Sequence, residues 1–123
     1  MDGNGHVNNV EYVRWMQEMA VRHSDSVGCT QATHAAGATW VARSHRIVYL
    51  RPAFLGEPIA ALTWVTDFRR VRSLRKYKFV RTTDNVVIAE GETDWVFVNE
   101  KTGRPQSIPT PVSAAFELIP SDR

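Results

Sequence analysis

The only long helical pattern in this chain stands near its start, and residues 38–99 read as strand almost without a break. That asymmetry constrains the fold more than any other feature, because one helix must cover a whole sheet. Asn8 and Asn9 are suited to cap the helix, and Glu11 places a negative charge in the first turn, where the helix dipole favours it. Tyr12, Met16, Met19, Ala20, His23 and Val27 recur at helical spacing and share one face, while Arg14, Gln17, Glu18 and Arg22 fall largely elsewhere. Gly28 is a fitting stop. About 18 residues at ~1.5 Å each give a rod of roughly 27 Å.

The strands are bounded by turn chemistry. Residues 39–49 are rich in Val, Ile, Trp and Tyr and end at Arg51-Pro52. Pro58 opens a strand over 59–68, in which Ala60, Leu62, Trp64 and Phe68 are expected to share a face. Residues 73–82 and 86–99 flank Thr83-Asp84-Asn85, a hairpin signal. With those residues as the loop, Val80 faces Ile88, Lys78 faces Glu90 and Lys76 faces Glu92, and Phe79 meets Ala89 on the other side. Charges and apolar groups match in the same register, which supports it. A short amphipathic turn over 111–116 closes the chain. The order is therefore one helix and then at least four antiparallel strands, an α+β arrangement. Val86, Ile88, Val96 and Val98 lie beside Glu90, Glu92 and Asp94 on the expected second face of the sheet. A partly apolar second face in so small a protein predicts burial against another copy, a dimer at least.

Composition narrows the setting. The chain has 123 residues, enough for one domain over 1–123, with no repeat, low-complexity tract or linker. The net charge of +2 gives little reason to expect a nucleic-acid partner. One cysteine, Cys29, excludes an internal disulfide and any zinc site built on two cysteines. No apolar run approaches the ~18 residues of a membrane span, and the Met-Asp-Gly-Asn-Gly-His start does not read as a signal peptide. A soluble, reduced, cytoplasmic setting is the default expectation, with no membrane partner.

Chemistry concentrates at the start: Asp2-Gly3-Asn4-Gly5-His6-Val7-Asn8-Asn9-Val10-Glu11-Tyr12. A carboxylate and two glycines lead directly into a capped helix. Glycine permits tight turns and close approach to a ligand, and a helix start offers unpaired N–H groups at a positive dipole end. Together these place a carboxylate beside a donor able to polarise a carbonyl oxygen.

The pattern Asp-x-x-Gly-His-Val-Asn-Asn-x-x-Tyr resembles the 4-hydroxybenzoyl-CoA thioesterase group of hotdog-fold acyl-CoA thioesterases. The resemblance continues through Tyr49-Leu50-Arg51-Pro52-Ala53 with Gly56-Glu57, and through Asn99, Gly103-Arg104 and Ile108-Pro109. It implies a sheet wrapped around the long helix, subunits paired edge to edge, dimers paired again into a homotetramer, and an active site at the dimer interface. It implies hydrolysis of an acyl-CoA thioester to a free acid and coenzyme A, which enters as part of the substrate and not as a separate cofactor. Asp2 takes the position of the catalytic carboxylate, as nucleophile or as general base. The Asn9 backbone N–H takes that of the oxyanion donor, and His6 stands where it could assist near the thioester. One departure is plain. In the family a strand of about ten residues precedes this aspartate and here only Met1 does, so either the first strand is absent or the start lies upstream.

Plainer readings stand beside these. Asp2 could be a solvated terminal residue, His6 a loop-orienting one, and the side chains of Asn8 and Asn9 simple caps. Residues 69–78 hold six basic side chains. Lys76 and Lys78 are assigned to cross-strand pairs, which leaves Arg69, Arg70, Arg72 and Arg75, with Arg51, as candidates for the phosphates of coenzyme A. Alternatively the cluster is a solvated turn. Its only interleaved aromatics are Tyr77 and Phe79, which argues against RNA. His23 reads as a core or interface residue, His34 and His45 lack metal-ligand spacing, and Cys29 reads as structural, so no metal site is assigned. Two other functions compete with hydrolysis: an inactive acyl-CoA-binding hotdog domain, and a hotdog hydratase or dehydratase. Trp15, Met16, Met19, Trp40 and Trp64 suggest only that the acyl pocket is apolar, and an acyl carrier protein could replace coenzyme A.

Overall fold

The computed structural model describes residues 9–54 and 56–119. Helix α1 (Asn9–Ser26) leads into a short helix α2 (Cys29–Ala35), then β1 (Ala38–Tyr49), β2 (Ile59–Arg69), β3 (Arg72–Arg81), β4 (Val86–Asn99) and a helical turn α3 (Thr110–Ser113). The strands form one antiparallel sheet in the order β1-β4-β3-β2. The long helix and all four strands fall within a residue or two of their expected places. Helix α2 does not follow from the sequence pattern, since its seven residues are too short to show a periodic apolar face. Gly28, at φ 82, makes the left-handed turn between the two helices.

The apolar stripe of α1 lies on the sheet. Tyr12 and Met16 are buried against Tyr77, Phe79, Ile88 and Ala89, with Trp15, Met19, Ile47 and Ile59 packed around them. Tyr12 makes edge-on ring contacts with Trp15, Tyr49 and Phe79 at centroid distances of 5.4, 5.4 and 5.1 Å. A second cluster gathers Cys29, Ala38, Phe97 and Val112, with Trp40, Ile108 and Phe116 at its margin. The closing turn of the chain thus serves as a plug, and its tail runs back to the sheet where the Ile119 N–H donates to the Val65 carbonyl at 3.0 Å.

Bulges decide which side chains face the helix. Lys76 pairs with Glu92, Lys78 with Glu90 and Phe79 with Ala89, as the hairpin signal predicts. Beyond that point Val80 pairs with Val87 instead of Ile88, and Arg81 with Val86, so the loop is residues 82–85. Ile88 is the extra residue. It is fully buried in the core and not on the outer face, and its carbonyl accepts from the N–H groups of Leu50 and Arg51 at 2.9 and 3.1 Å. A second bulge, between Val65 and Asp67, inverts the alternation of β2. Phe68 therefore pairs with Ser73, on the helix side, and parts from Ala60, Leu62 and Trp64. Trp64 lies opposite Lys76 on the outer face. The outer face still exposes apolar groups, with Val41, Val48 and Leu62 each more than two-fifths exposed at 49%, 43% and 51%.

Candidate functional site

Helix α1 begins at Asn9, immediately after the segment richest in chemistry. Asp2 and His6 lie outside the described residues. Within them, the structure supplies helix α1 from Asn9 onward and not the geometry of the carboxylate.

The candidate phosphate-binding arginines separate into distinct environments. Arg69 and Arg70 lie at the tight β2–β3 turn, where Arg70 adopts φ 27 and its carbonyl accepts from the Ile108 N–H at 2.8 Å. Arg69 Nε donates to Asp67 at 3.1 Å. Arg72 forms a two-pronged pair with Asp94, at 3.3 and 2.8 Å. Arg51 and Arg70 are exposed and form no ion pair among the described residues. Arg75 is apart from all of these: it points inward and is only 3% exposed.

The alternation of β3 explains this. Ser73, Arg75, Tyr77 and Phe79 are all buried, and Phe79 and Tyr77 belong to the core beneath α1. With Lys76 and Lys78 outward, Arg75 can only face the helix. There its Nη1 meets His23 Nδ1 at 2.9 Å and donates to Thr63 Oγ1 at 3.1 Å. A guanidinium has only donors, so Nδ1 of His23 must be the acceptor and the ring proton sits on Nε2. Burial, and then the Arg75 charge, lower the pKa of His23 from its ordinary value. Phe116 packs edge-on against His23 at 4.9 Å and lies under the Arg75 guanidinium at 5.5 Å. Burial also draws the Arg75 pKa down from the usual arginine range, without removing its charge.

In the strand row beside Arg75, Thr93 is fully buried between Arg75 and His45. The Thr93 hydroxyl meets His45 Nδ1 at 2.9 Å and donates to the Tyr77 hydroxyl at 3.2 Å. Burial lowers the pKa of His45 and raises that of Tyr77. In the next row, the Trp95 indole N–H is buried and makes no hydrogen bond of normal geometry. Trp95 and Arg75 border a cavity of about 290 Å³ between the C-terminal half of α1, α2 and the sheet. Val65, Phe68, Trp40, Trp95, Arg75 and Phe116 line it. Sequence reasoning found Arg75 but not its surroundings. The inward-outward alternation of β3 was the available signal for its burial. Thr63, Thr93 and Phe116 gave none, because their roles depend on contacts across the fold. Among the described residues no cluster of His, Cys, Asp or Glu is arranged to hold a metal ion, and no helix is long and apolar enough to cross a membrane.

A long helix laid across an antiparallel sheet in this strand order is the hotdog fold. Residues 1–116 match the thioesterase-like superfamily, and the chain belongs to that family. It is similar in structure to the YbaW probable thioesterase of Escherichia coli, with a TM-score of 0.85 and 18% identity over 94% of this chain and 86% of that one. It is also similar to 1,4-dihydroxy-2-naphthoyl-CoA thioesterase from Synechocystis, with a TM-score of 0.81 and 16% identity over 94% and 85% of the two chains. A thioesterase from Thermus thermophilus, solved with coenzyme A and zinc, aligns with a TM-score of 0.78 and 21% identity over 94% and 82%. At these identities the likeness establishes the fold. No curated protein matches the chain in sequence.

Proposed function

We propose that this protein hydrolyses an acyl-CoA thioester to a free carboxylic acid and coenzyme A. The observation that carries the reading is the match of residues 1–116 to the thioesterase-like superfamily, with the Asp-x-x-Gly-His-Val-Asn-Asn motif leading into α1. The neighbour that holds coenzyme A supports the carrier, and neighbours named as acyl-CoA thioesterases support the reaction.

In this reading the Asn9 N–H donates to the thioester carbonyl oxygen as negative charge develops on it. One such donor is worth roughly 2.7–4 kcal/mol in the transition state. Asp2 acts on the carbonyl carbon in one of two ways. Its oxygen adds directly, the C–S bond breaks, coenzyme A leaves as the thiol after taking up a proton, and water then cleaves the resulting anhydride. Alternatively Asp2 takes a proton from water as that water adds, and the thiol leaves with a proton in the same way. His6 assists near the thioester. No separate cofactor takes part. The site lies at the interface of a dimer, in the cytoplasm. Arg51 and Arg70 are the first candidates for the phosphates, since Arg69 and Arg72 already hold carboxylates.

The test is thiol release from a panel of short-chain, long-chain and aromatic acyl-CoAs, run on wild type and Asp2→Ala. Wild type should release thiol from at least one member. Asp2→Ala should lower that rate by about 100-fold or more, as loss of a positioned catalytic group does, with an unchanged melting temperature. Equal rates in the two proteins would remove Asp2 from the chemistry. Tight binding of acyl-CoA without release by wild type would identify a binding domain instead.

A further inference from the structure

Arg75 has no counter-charge among the described residues. Its Nη1 makes hydrogen bonds to two neutral groups, His23 and Thr63, and no hydrogen bond joins Nε or Nη2 to a described residue. A cation left with neutral partners in a low-dielectric site is costly, and proteins that keep one usually pair it or neutralise it. Here it borders a cavity of about 290 Å³. A cavity of about 150 Å³ is enough to hold benzene, so a ring with several further atoms fits. The wall is largely apolar: Val65, Phe68 and Phe116 close it beside the guanidinium. A second donor stands nearby, turned toward the Tyr77 hydroxyl. Trp95 is paired with Ser73, and Thr93 with Arg75, so Trp95 and Arg75 are diagonal neighbours on the helix side of the sheet. That places their Cβ atoms roughly 7–8 Å apart. The buried Trp95 indole N–H makes no hydrogen bond of normal geometry, its nearest acceptor being the Tyr77 hydroxyl, which also accepts from Thr93.

We propose that this cavity binds a small, mostly apolar molecule bearing a carboxylate, with Arg75 as the counter-charge. A carboxylate presents two acceptor oxygens to a planar fork of donors, the match that makes such pairs short and strong. A single negative charge balances a single buried positive one, and the uncharged remainder of the ligand meets the apolar wall. Phe116 holds the guanidinium from beneath and leaves its edge for the ligand. The His23 ring fixes the orientation of the fork by taking one N–H. The mouth lies at the exposed residues Val21, His34 and Thr39. The Asp25 carboxylate, also at the mouth, accepts from the Thr30 hydroxyl and makes no ion pair with Arg75. The cavity is distinct from the start of α1 in the same chain, since His23 lies about 21 Å along the helix from Asn9 at 1.5 Å per residue. It therefore goes beyond the hydrolytic reading and does not depend on it.

Isothermal titration with phenylacetate and its neutral isostere phenylacetamide tests the proposal on wild type alone. Phenylacetate should bind saturably, at least tenfold more tightly than the amide. Arg75→Met, which keeps the volume and removes the charge, should abolish that preference, while Arg75→Lys should retain part of it. No saturable binding of phenylacetate at millimolar concentration, or equal affinity for the two probes, would overturn the proposal even if neither variant folds. A second arm distinguishes a free acid from an acyl group that ends in a carboxylate. It uses the amide analogues of glutaryl-CoA and pentanoyl-CoA, in which nitrogen replaces the thioester sulfur and hydrolysis does not intervene. A tenfold preference for the glutaryl analogue that Arg75→Met removes assigns the pocket to the acyl group. Phenylacetate binding without that preference assigns it to a free acid. Neither arm reads thiol release, so failure here is separable from failure of the hydrolase reading.

Discussion

At His23, burial and the neighbouring Arg75 cation both disfavour a second proton on the ring. The folded protein therefore holds this histidine, and with it the part-buried His45, below the ordinary pKa of 6.5. Between the folded value and 6.5 the unfolded chain binds more protons than the native one, so native stability is full above pH 6.5 and declines as the pH falls below it. Thermal unfolding followed from about pH 7.5 to about pH 5, above the range where most carboxylates titrate, should show that decline. His23→Gln, which can still accept from Arg75, should show less of it, and an identical pH profile would place the effect elsewhere. Gly91 makes a different kind of demand. A Cβ there would meet the Met16 Sδ and Cε atoms at 3.1 and 3.3 Å and the Arg46 carbonyl oxygen at 3.4 Å. The bare backbone lets α1 seat its fully buried methionine on β4. Gly91→Val should therefore cost about 1–3 kcal/mol, as overpacking of a filled core does. The measurement is the denaturant midpoint.

Among the elements, the β3–β4 hairpin shows how local chemistry and core packing share control. Asp84 takes three hydrogen bonds from Arg81, with lengths of 2.9 to 3.2 Å, and accepts from the Val86 N–H, while Asn85 adopts φ 58. Asparagine tolerates that left-handed conformation better than most residues. Asn85→Val should lower stability by about 1–2 kcal/mol, the cost of forcing a β-branched side chain into it. Asn85→Gly should leave it close to wild type, and chemical denaturation distinguishes the two. The turn residues alone predicted a shorter loop. The bulge at Ile88 lengthened it by one residue and took a large apolar side chain into the core. The bulge in β2 did the same for Phe68, which now stacks at 6.4 Å from Trp40 and 5.7 Å from Phe116. Bulges are dictated by what must be packed above the sheet, so alternation along one strand could not reveal them.

For the molecule as a whole, β1 and β2 are the outermost strands of the sheet among the described residues, and Val41 and Val48 of β1 and Leu62 of β2 project exposed from its outer face. Exposed apolar groups on an outer sheet face favour association with a second copy. Sedimentation equilibrium at micromolar concentration should give a mass of at least two chains. A monomer there would count against a site completed between subunits. The helix, the four strands and most of their register were legible because each depends on spacing within a short stretch. The candidate site was legible only in part. The motif from Asp2 to Asn9 carries the proposed chemistry but lies, up to Asn8, outside the described residues, and the sequence identified Arg75 as a candidate without showing that it turns inward.

What the amino-acid sequence determined alone is the order of elements, the apolar stripe of α1 and the pairing of Lys76 and Lys78 with Glu92 and Glu90. Those follow from periodicity and charge matching between neighbours along the chain. Only the tertiary structure decided that α2 and the C-terminal Phe116 close over the sheet and that Arg75 meets His23 and Thr63 beside the cavity. That environment is assembled from α1, β2, β3 and the tail, and burial of a charge is a property of everything packed around it, which no single stretch of sequence contains.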